Sequence, residues 1–425
     1  MLFNFKIEKP QIILFCNILV ATFFVSVLTF KKGYSYAPII LGIIAILNLL
    51  CHSLPFSAIL CHLKLKQMRL LDNEDKFFIF SLIAYFSTFL ISVIDNQDSL
   101  REIDNPSRVL LFIPLIFFFS LYPIKKKIIF YFIPIGSFVI GLLAIYQKFI
   151  LNLPLPFPET HSIQAGDISM TLSLLSMVIA FYWFNKNTKI AFLCILFATF
   201  GLSASILTGA RGGWIAFPFC FLLILVCYYK NLNKKILLLI VSIITIAISL
   251  FITRPEFGFK HRYNSAKADI TNYIEKGIKN TSQGARLDMW QNAMIAISEK
   301  PILGHGSSGY ELFRKKQVNS NQMAETTLQY HSLHNQYLEA FVKRGMIGFI
   351  ALIAILIIPF FLFARRLKTD DFALKCIAVL GIVHITSHSF FFLTQSYLAH
   401  NSGSIFYFFV LILFYHLLKQ EKENI

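Results

Sequence analysis

Residues 346–364 read MIGFIALIAILIIPFFLFA, an apolar run without a charged side chain, and Arg365, Arg366 and Lys368 follow it directly. A helix needs about 17 to 25 such residues to cross the hydrocarbon core of a bilayer. A spanning segment must also satisfy its backbone amides internally, which a helix does. The run therefore reads as a membrane-spanning helix. Further apolar runs at 11–30, 36–56, 77–95, 108–124, 128–148, 170–185, 190–208, 214–230, 236–253, 374–393 and 403–418 read the same way, which gives about twelve spans. The second, fourth and sixth are short or interrupted by proline.

Composition agrees. Of 425 residues, 56% are hydrophobic and 14% charged, and the mean hydropathy is +0.65, a balance that excludes a water-soluble globule. The expected fold class is an all-α polytopic membrane protein. The formal charge of +17 is spread as short clusters between the apolar runs. Lys64, Lys66, Arg69 and Lys76, then Lys125, Lys126 and Lys127, then Lys186 and Lys189, then Lys230, Lys234 and Lys235, then Arg365, Arg366, Lys368 and Lys375 all fall on one side of this arrangement. By the positive-inside rule that side is the cytoplasm, with both termini in it. Lys31 and Lys32 are the exception. Charge placed by topology gives no reason to expect a nucleic-acid partner. The seven cysteines, Cys16, Cys51, Cys61, Cys194, Cys220, Cys227 and Cys376, lie in or beside apolar runs with no CxxC pair, so neither a disulfide framework nor a zinc site is expected. The first run lacks a small-residue cleavage signature and reads as a retained span.

Three parts follow: spans one to nine over 1–253, a long polar connection over 254–345, and spans ten to twelve with a cytoplasmic end over 346–425. The connection lies outside, in the periplasm, and is the one soluble segment large enough to hold a site built from polar side chains. It opens with a basic, aromatic stretch from Phe257 to Tyr273. An amphipathic helix is expected from about Ala285 to Ser298, with Leu287, Trp290, Met294 and Ile297 on one face, ended by Pro301. A second is expected from about Leu333 into the tenth span, with His334, Tyr337, Leu338 and Phe341 along one stripe.

Three constellations could carry chemistry. Thr208-Gly209-Ala210-Arg211-Gly212-Gly213-Trp214 is a tight hairpin between two spans. Its arginine reads either as an interfacial residue that snorkels, with Trp214 as belt anchor, or as a planar fork offered to a phosphate at headgroup depth. In Gly284-Ala285-Arg286 the cation falls in the first turn of the amphipathic helix, against the helix dipole; it reads as a solvated arginine or as part of an anion site at the helix N-terminus. His331-Ser332-Leu333-His334-Asn335 offers two imidazoles. Two ligands without a nearby Asp or Cys make a poor metal site, whereas an imidazole suits a general base at neutral pH; a structural histidine at the loop base is the third reading. Gly304-His305-Gly306-Ser307-Ser308-Gly309 fits GxGxxG, but no βαβ unit surrounds it and it reads as a loop turn. His384 and His388, one helical turn apart, mark either an ion path or packing.

At these residues the chain resembles the O-antigen ligase family, part of a superfamily that also holds O-antigen polymerases and bacterial protein O-oligosaccharyltransferases. The family signature is His, then Asn, Ser or Gln, nine residues, and Gly-x-x-Gly; here His334-Asn335 is followed by nine residues and then Gly345 and Gly348. Arg211 and Arg286 look like the family's two essential periplasmic arginines, and Arg262-Tyr263-Asn264 also looks like ligase sequence. The order of spans and the large loop between the ninth and tenth are similar as well. The resemblance implies a C-type glycosyltransferase fold in the bacterial inner membrane, metal-independent and without a cofactor. It implies transfer of a finished glycan from undecaprenyl pyrophosphate to a sugar hydroxyl of lipid A-core, with inversion. His334, Arg211 and Arg286 would be catalytic, and Arg262, His331, Tyr337 and Asn335 would bind substrate. Polymerase and protein-glycosylating activities are alternatives within the superfamily, though a chain that stops at Ile425 just after its last span fits the latter less well. A transporter or flippase would instead place charged or helix-breaking residues at midplane depth.

Overall fold

Backbone amides buried in lipid find partners only within their own segment, and every described apolar run is helical. The structure, a computed structural model, describes residues 8–53, 71–230 and 259–423 together with the isolated positions 238, 242, 245, 249 and 253. The expected ninth span, 236–253, therefore lies almost wholly outside the described residues. The described helices are α1 (Lys9–Ser26), α2 (Tyr36–Ser53), α3 (Asn73–Asn96), α4 (Arg108–Leu121), α5 (Lys126–Ile145), α6 (Ser162–Phe184), α7 (Thr188–Leu207), α8 (Arg211–Tyr228), α9 (Phe259–Lys276), α10 (Ser282–Glu299), α11 (Gly306–Asn319), α12 (Gln336–Ala364), α13 (Phe372–Thr394) and α14 (Asn401–Glu423). Among the described residues there is no strand. Among the described residues, ten helical segments are long and apolar enough to cross a membrane, with a shorter apolar helix over Tyr36–Leu50. The molecule is an all-α polytopic membrane protein.

Helices α6, α13 and α14 are enclosed by the others and form the centre. Apolar contact alone does not drive helices together in lipid, so close approach and interhelical hydrogen bonds matter more. Gly136 of α5 lies against the Phe24 backbone of α1, where a Cβ would collide. The Ser137 hydroxyl donates to the Phe197 carbonyl at 3.0 Å and Ser173 to the Ala198 carbonyl at 2.7 Å, tying α5 and α6 to α7. Tyr407 of α14 donates to the Ile355 carbonyl of α12 at 2.8 Å. His384 and His388 are buried at this centre; His384 Nε2 lies 3.0 Å from the Tyr407 carbonyl, and their rings stack among Phe406, Tyr407 and Tyr397. That arrangement is packing.

Helix α6 starts at Ser162, eight residues before the expected 170. Gln164, Asp167 and Ser169 are buried against protein, and a hydropathy count cannot distinguish a polar residue hidden in the bundle from one facing water. Helix α10 also differs from expectation: it buries Met289, Ala293, Ala296 and Ile297 together with Asp288 and Asn292, while Met294 is 58% exposed. Asp288 is drawn inward by the Ala324 amide at 2.8 Å and Lys279 Nζ at 2.7 Å, which rotates the helix away from its most apolar face. The GxGxxG segment is a turn only as far as His305. Gly306 opens α11, whose first amides, Ser307 and Ser308, donate to the Asp98 carboxylate at 2.7 and 2.9 Å; this helix N-terminus is occupied by the protein's own anion.

The Gly345-x-x-Gly348 pattern has a structural cause. Gly345 breaks α12 with φ 61° and ψ −162°, and the Pro301–Gly304 turn lies against the kink: the Met346 amide donates to the Pro301 carbonyl and the His305 amide to the Val342 carbonyl, both at 2.8 Å. A Cβ on Gly345 would collide with the Ile302 carbonyl. Gly348 leaves room for Arg344 to fold back, its guanidinium 3.8 Å from the Phe89 ring centroid.

At the opposite end of the bundle, Lys419 Nζ lies 2.6 Å from Asp72 and 2.9 Å from Glu74, Glu74 also meets Arg366 at 2.9 Å, and Tyr415 donates to Asp75 at 2.6 Å. Replacing one partner of a buried ion cluster strands the others. Lys419→Met is expected to cost on the order of 3 kcal/mol, read as a lower thermal midpoint in detergent, while Lys315→Met, in an exposed i,i+4 pair with Glu311, leaves the midpoint within error.

Candidate active site

His334 sits between two fixed points. On one side the Leu333 amide donates to Glu339 at 2.8 Å. On the other, Asn335 caps α12, its side-chain oxygen accepting from the Tyr337 and Leu338 amides at 3.0 and 3.1 Å. Between them His334 takes a left-handed backbone, φ 50°, so it precedes the helix and does not belong to the stripe the sequence suggested. Its Nδ1 lies 2.7 Å from Gln395 Oε1 at the end of α13. An amide oxygen only accepts, so Nδ1 carries the hydrogen and Nε2 keeps a lone pair. Burial pushes the His334 imidazole below its ordinary value; the Gln395 bond opposes this, and the charges of Arg286 and His161 add to it.

Arg286 lies in α10, which begins at Ser282 behind an N-cap in which Thr281 accepts from the Gly284 amide at 3.1 Å. The helix starts three residues earlier than expected, so Arg286 is one turn in and the argument from the dipole loses its force. Burial pushes its guanidinium below the ordinary value; Tyr330 acts the other way, and the positive charge of Arg211 lowers it further. Arg211 is thus near enough to Arg286, and Arg286 to His334, for charge to act between them.

Arg211 is the first residue of α8, and its hairpin is clamped. Gly166 of α6 packs against Thr208 and Ala210, Gly212 against the Thr394 hydroxyl, and Gly213 against Asp167, whose carboxylate oxygen would lie 2.7 Å from an added Cβ. The hairpin is therefore set between α6 and the end of α13, one residue from Gln395. Two guanidinium groups of like charge that act on each other, one of them opening a helix and the other acting on an imidazole, form a cationic cluster of the kind that suits an anion.

Residues 195–353, which include all three, match a family model described as O-antigen ligase. Over 412 residues the chain is 49% identical to an uncharacterized protein of Haemophilus influenzae (strain ATCC 51907 / DSM 11121 / KW20 / Rd), an alignment covering 96% of this chain and 99% of that one. The chain belongs to the O-antigen ligase family. Members of this family are glycosyltransferase-like membrane enzymes, ligases and polymerases.

Within the family frame, the remaining residues take distinct places. Tyr337 donates its hydroxyl to the Ser389 carbonyl at 2.9 Å, and the Asn335 oxygen is engaged in capping, so both brace the site. His331 is exposed at the surface, where its charge acts on Glu311. Arg262 belongs to α9, and its side chain lies outside the described residues. Sequence reading missed Gln395, His400 and His161. Gln395 Nε2 donates to His400 Nε2 at 3.1 Å, and the His400 and His161 rings lie 5.1 Å apart. Burial, with His161 and His334 beside it, pushes His400 down to about 4, so it stays neutral and accepts from Gln395. The available signal was the polar cluster Gln395, Ser396 and His400 in a short turn between two apolar runs.

The pH dependence follows. With its folded value lowered, His334 stays unprotonated through pH 7, and activity is expected to fall only as pH drops below the ordinary imidazole value of about 6.5. Gln395→Glu places a carboxylate on Nδ1, which favours imidazolium, so the acid limb of the pH–rate profile moves to higher pH. Gln395→Leu removes the tautomer control and lowers the rate without that displacement.

Proposed function

We propose that this chain is an O-antigen ligase of the bacterial inner membrane, which transfers a glycan from undecaprenyl pyrophosphate to a sugar hydroxyl of lipid A-core at the periplasmic face. The observation that carries the reading is the succession of neighbours, Arg211 acting on Arg286 and Arg286 on His334, an imidazole whose Nε2 is left basic by the Gln395 bond.

In the proposed reaction, His334 Nε2 takes the proton from the acceptor hydroxyl as its oxygen attacks the anomeric carbon. The bond from that carbon to the pyrophosphate oxygen breaks, and undecaprenyl pyrophosphate leaves with the electron pair. Attack from the face opposite the leaving group inverts the anomeric configuration. Negative charge grows on the departing oxygen, so cations fixed beforehand around it stabilise the transition state more than the ground state. Arg211 and Arg286 supply that charge as planar forks, which suit phosphate oxygens better than a point charge does. The glycines around Arg211 let the backbone approach a bulky anion. The clusters of lysine and arginine at the other ends of the spans are what put the site on the periplasmic side in this reading.

The test supplies undecaprenyl-pyrophosphate-linked glycan and lipid A-core to membranes holding the protein and reads the product on a lipopolysaccharide gel. The wild type is expected to cap lipid A-core. His334→Ala loses about 10²- to 10⁴-fold in rate, and Arg286→Lys, which keeps the charge and loses the fork, loses about 10²-fold. Glycan lengthened on its carrier with lipid A-core left bare would make the chain a polymerase and overturn the ligase reading.

A further inference from the structure

Within the loop, α9 carries a face that the proposed chemistry does not use. Tyr263, Lys267, Ile270 and Ile274 follow one another at helical spacing along a single stripe, and its three apolar members are 60%, 42% and 73% exposed. A different face turns to α10, where the Tyr273 hydroxyl donates to Gln291 Oε1 at 2.8 Å. The first half of α9 carries Lys260, His261, Arg262 and Lys267 and no acidic residue. A basic helix with one apolar stripe suits the boundary between headgroups and acyl chains of a bilayer with anionic lipid.

Chain length places that boundary within reach. Thr253 is helical at the end of the apolar run 236–253, and the step from 253 to 259 is six residues (259 − 253 = 6), about 20 Å when fully extended. The turn that braces the re-entry of the chain at Gly345 likewise exposes Ile302 and Leu303, and Met346 and Ile347 beside it are exposed too. Segments tethered to the exit and to the re-entry of the loop thus both present apolar side chains outward.

We propose that α9 lies in the bilayer surface at the end of the bundle that carries the site, with Tyr263, Ile270 and Ile274 in the acyl boundary and Lys260 and Lys267 among anionic headgroups. Through its contact with α10 the helix then holds Arg286 at the depth where the phosphates of lipid-linked molecules lie. The placement concerns lipid alone and stands apart from which glycan is transferred.

The experiment reconstitutes the full chain in nanodiscs of phosphatidylglycerol and phosphatidylcholine. Ile270→Trp and Ile274→Trp are compared with Ala268→Trp, which is exposed away from the stripe, each spectrum taken as a difference from the wild type with its three native tryptophans. Tryptophan at 270 or 274 is expected to emit at shorter wavelength, to be shielded from acrylamide and to be quenched by lipids brominated near the headgroup, while tryptophan at 268 behaves as in water. All three positions are on the helix surface, and either stripe variant alone reads the same property if the other disturbs folding. Solvent-like emission at both 270 and 274, with acrylamide quenching and no effect of brominated lipid, would overturn the proposal. Shielding that developed only on adding undecaprenyl pyrophosphate would overturn it as well, because the stripe would then belong to the donor's tail.

Discussion

Glu339 lies one turn into α12, 5% exposed, and its carboxylate meets three separate segments. One oxygen accepts from the Leu333 amide at 2.8 Å and from the Ser396 hydroxyl at 3.3 Å, and the other lies 2.5 Å from Lys343 Nζ. The first fixes the histidine loop, the second the turn between α13 and α14, and the third the helix itself. Taking a carboxylate out of water costs several kcal/mol, and convergent donors offset it only where geometry is held. Around this contact the other braces make sense: Gln336 accepts from the Leu398 amide at 2.8 Å, and Trp290 of α10 donates to the Leu333 carbonyl at 2.8 Å. The segment that carries α10 and the helical bundle are thereby joined at the point where His334 and Gln395 meet.

The fold class was legible because lipid imposes one solution on an apolar run of sufficient length. Where the reading went astray, buried polar side chains were the cause. Gln164 and Asp167 hid the first turns of α6, and Asp288 and Asn292 turned α10 away from its apolar face. Arg211, Arg286 and His334 drew attention in the sequence because each stands in a short local pattern with glycine or asparagine beside it. Gln395 did not, since 61 residues separate it from the imidazole it orients and no spacing rule links an amide to a base that far along a chain. The hydroxyl bond of Tyr337 was hidden for the same reason, its partner Ser389 lying 52 residues away, whereas the cap formed by Asn335 is local, with the Tyr337 and Leu338 amides as its donors.

Glycines perform different tasks at the two ends of this site. At Gly345 the backbone itself is left-handed and the helix breaks, which lets the Pro301–Gly304 turn dock on the kink. At Gly166, Gly212 and Gly213 the need is for contact distance, because three elements meet around the Arg211 hairpin. A cation that must be in place before charge develops gains most from such a mount, since the interaction then costs no reorganisation at the moment of reaction.

Under the proposed mechanism, the charges of the site are linked through the donor. Burial and the neighbouring arginine lower the basicity of His334 in the empty site, which keeps it neutral but also makes it a weak base. Forming imidazolium near the Arg286 guanidinium is unfavourable until negative charge arrives to offset it. A bound pyrophosphate supplies that charge, and supplies more as its bond to the sugar breaks. Proton abstraction and loss of the leaving group therefore assist each other, and the base becomes effective when the donor is present. An arrangement of this kind disfavours idle protonation of His334 between turnovers, and it makes the two arginines serve both halves of the reaction.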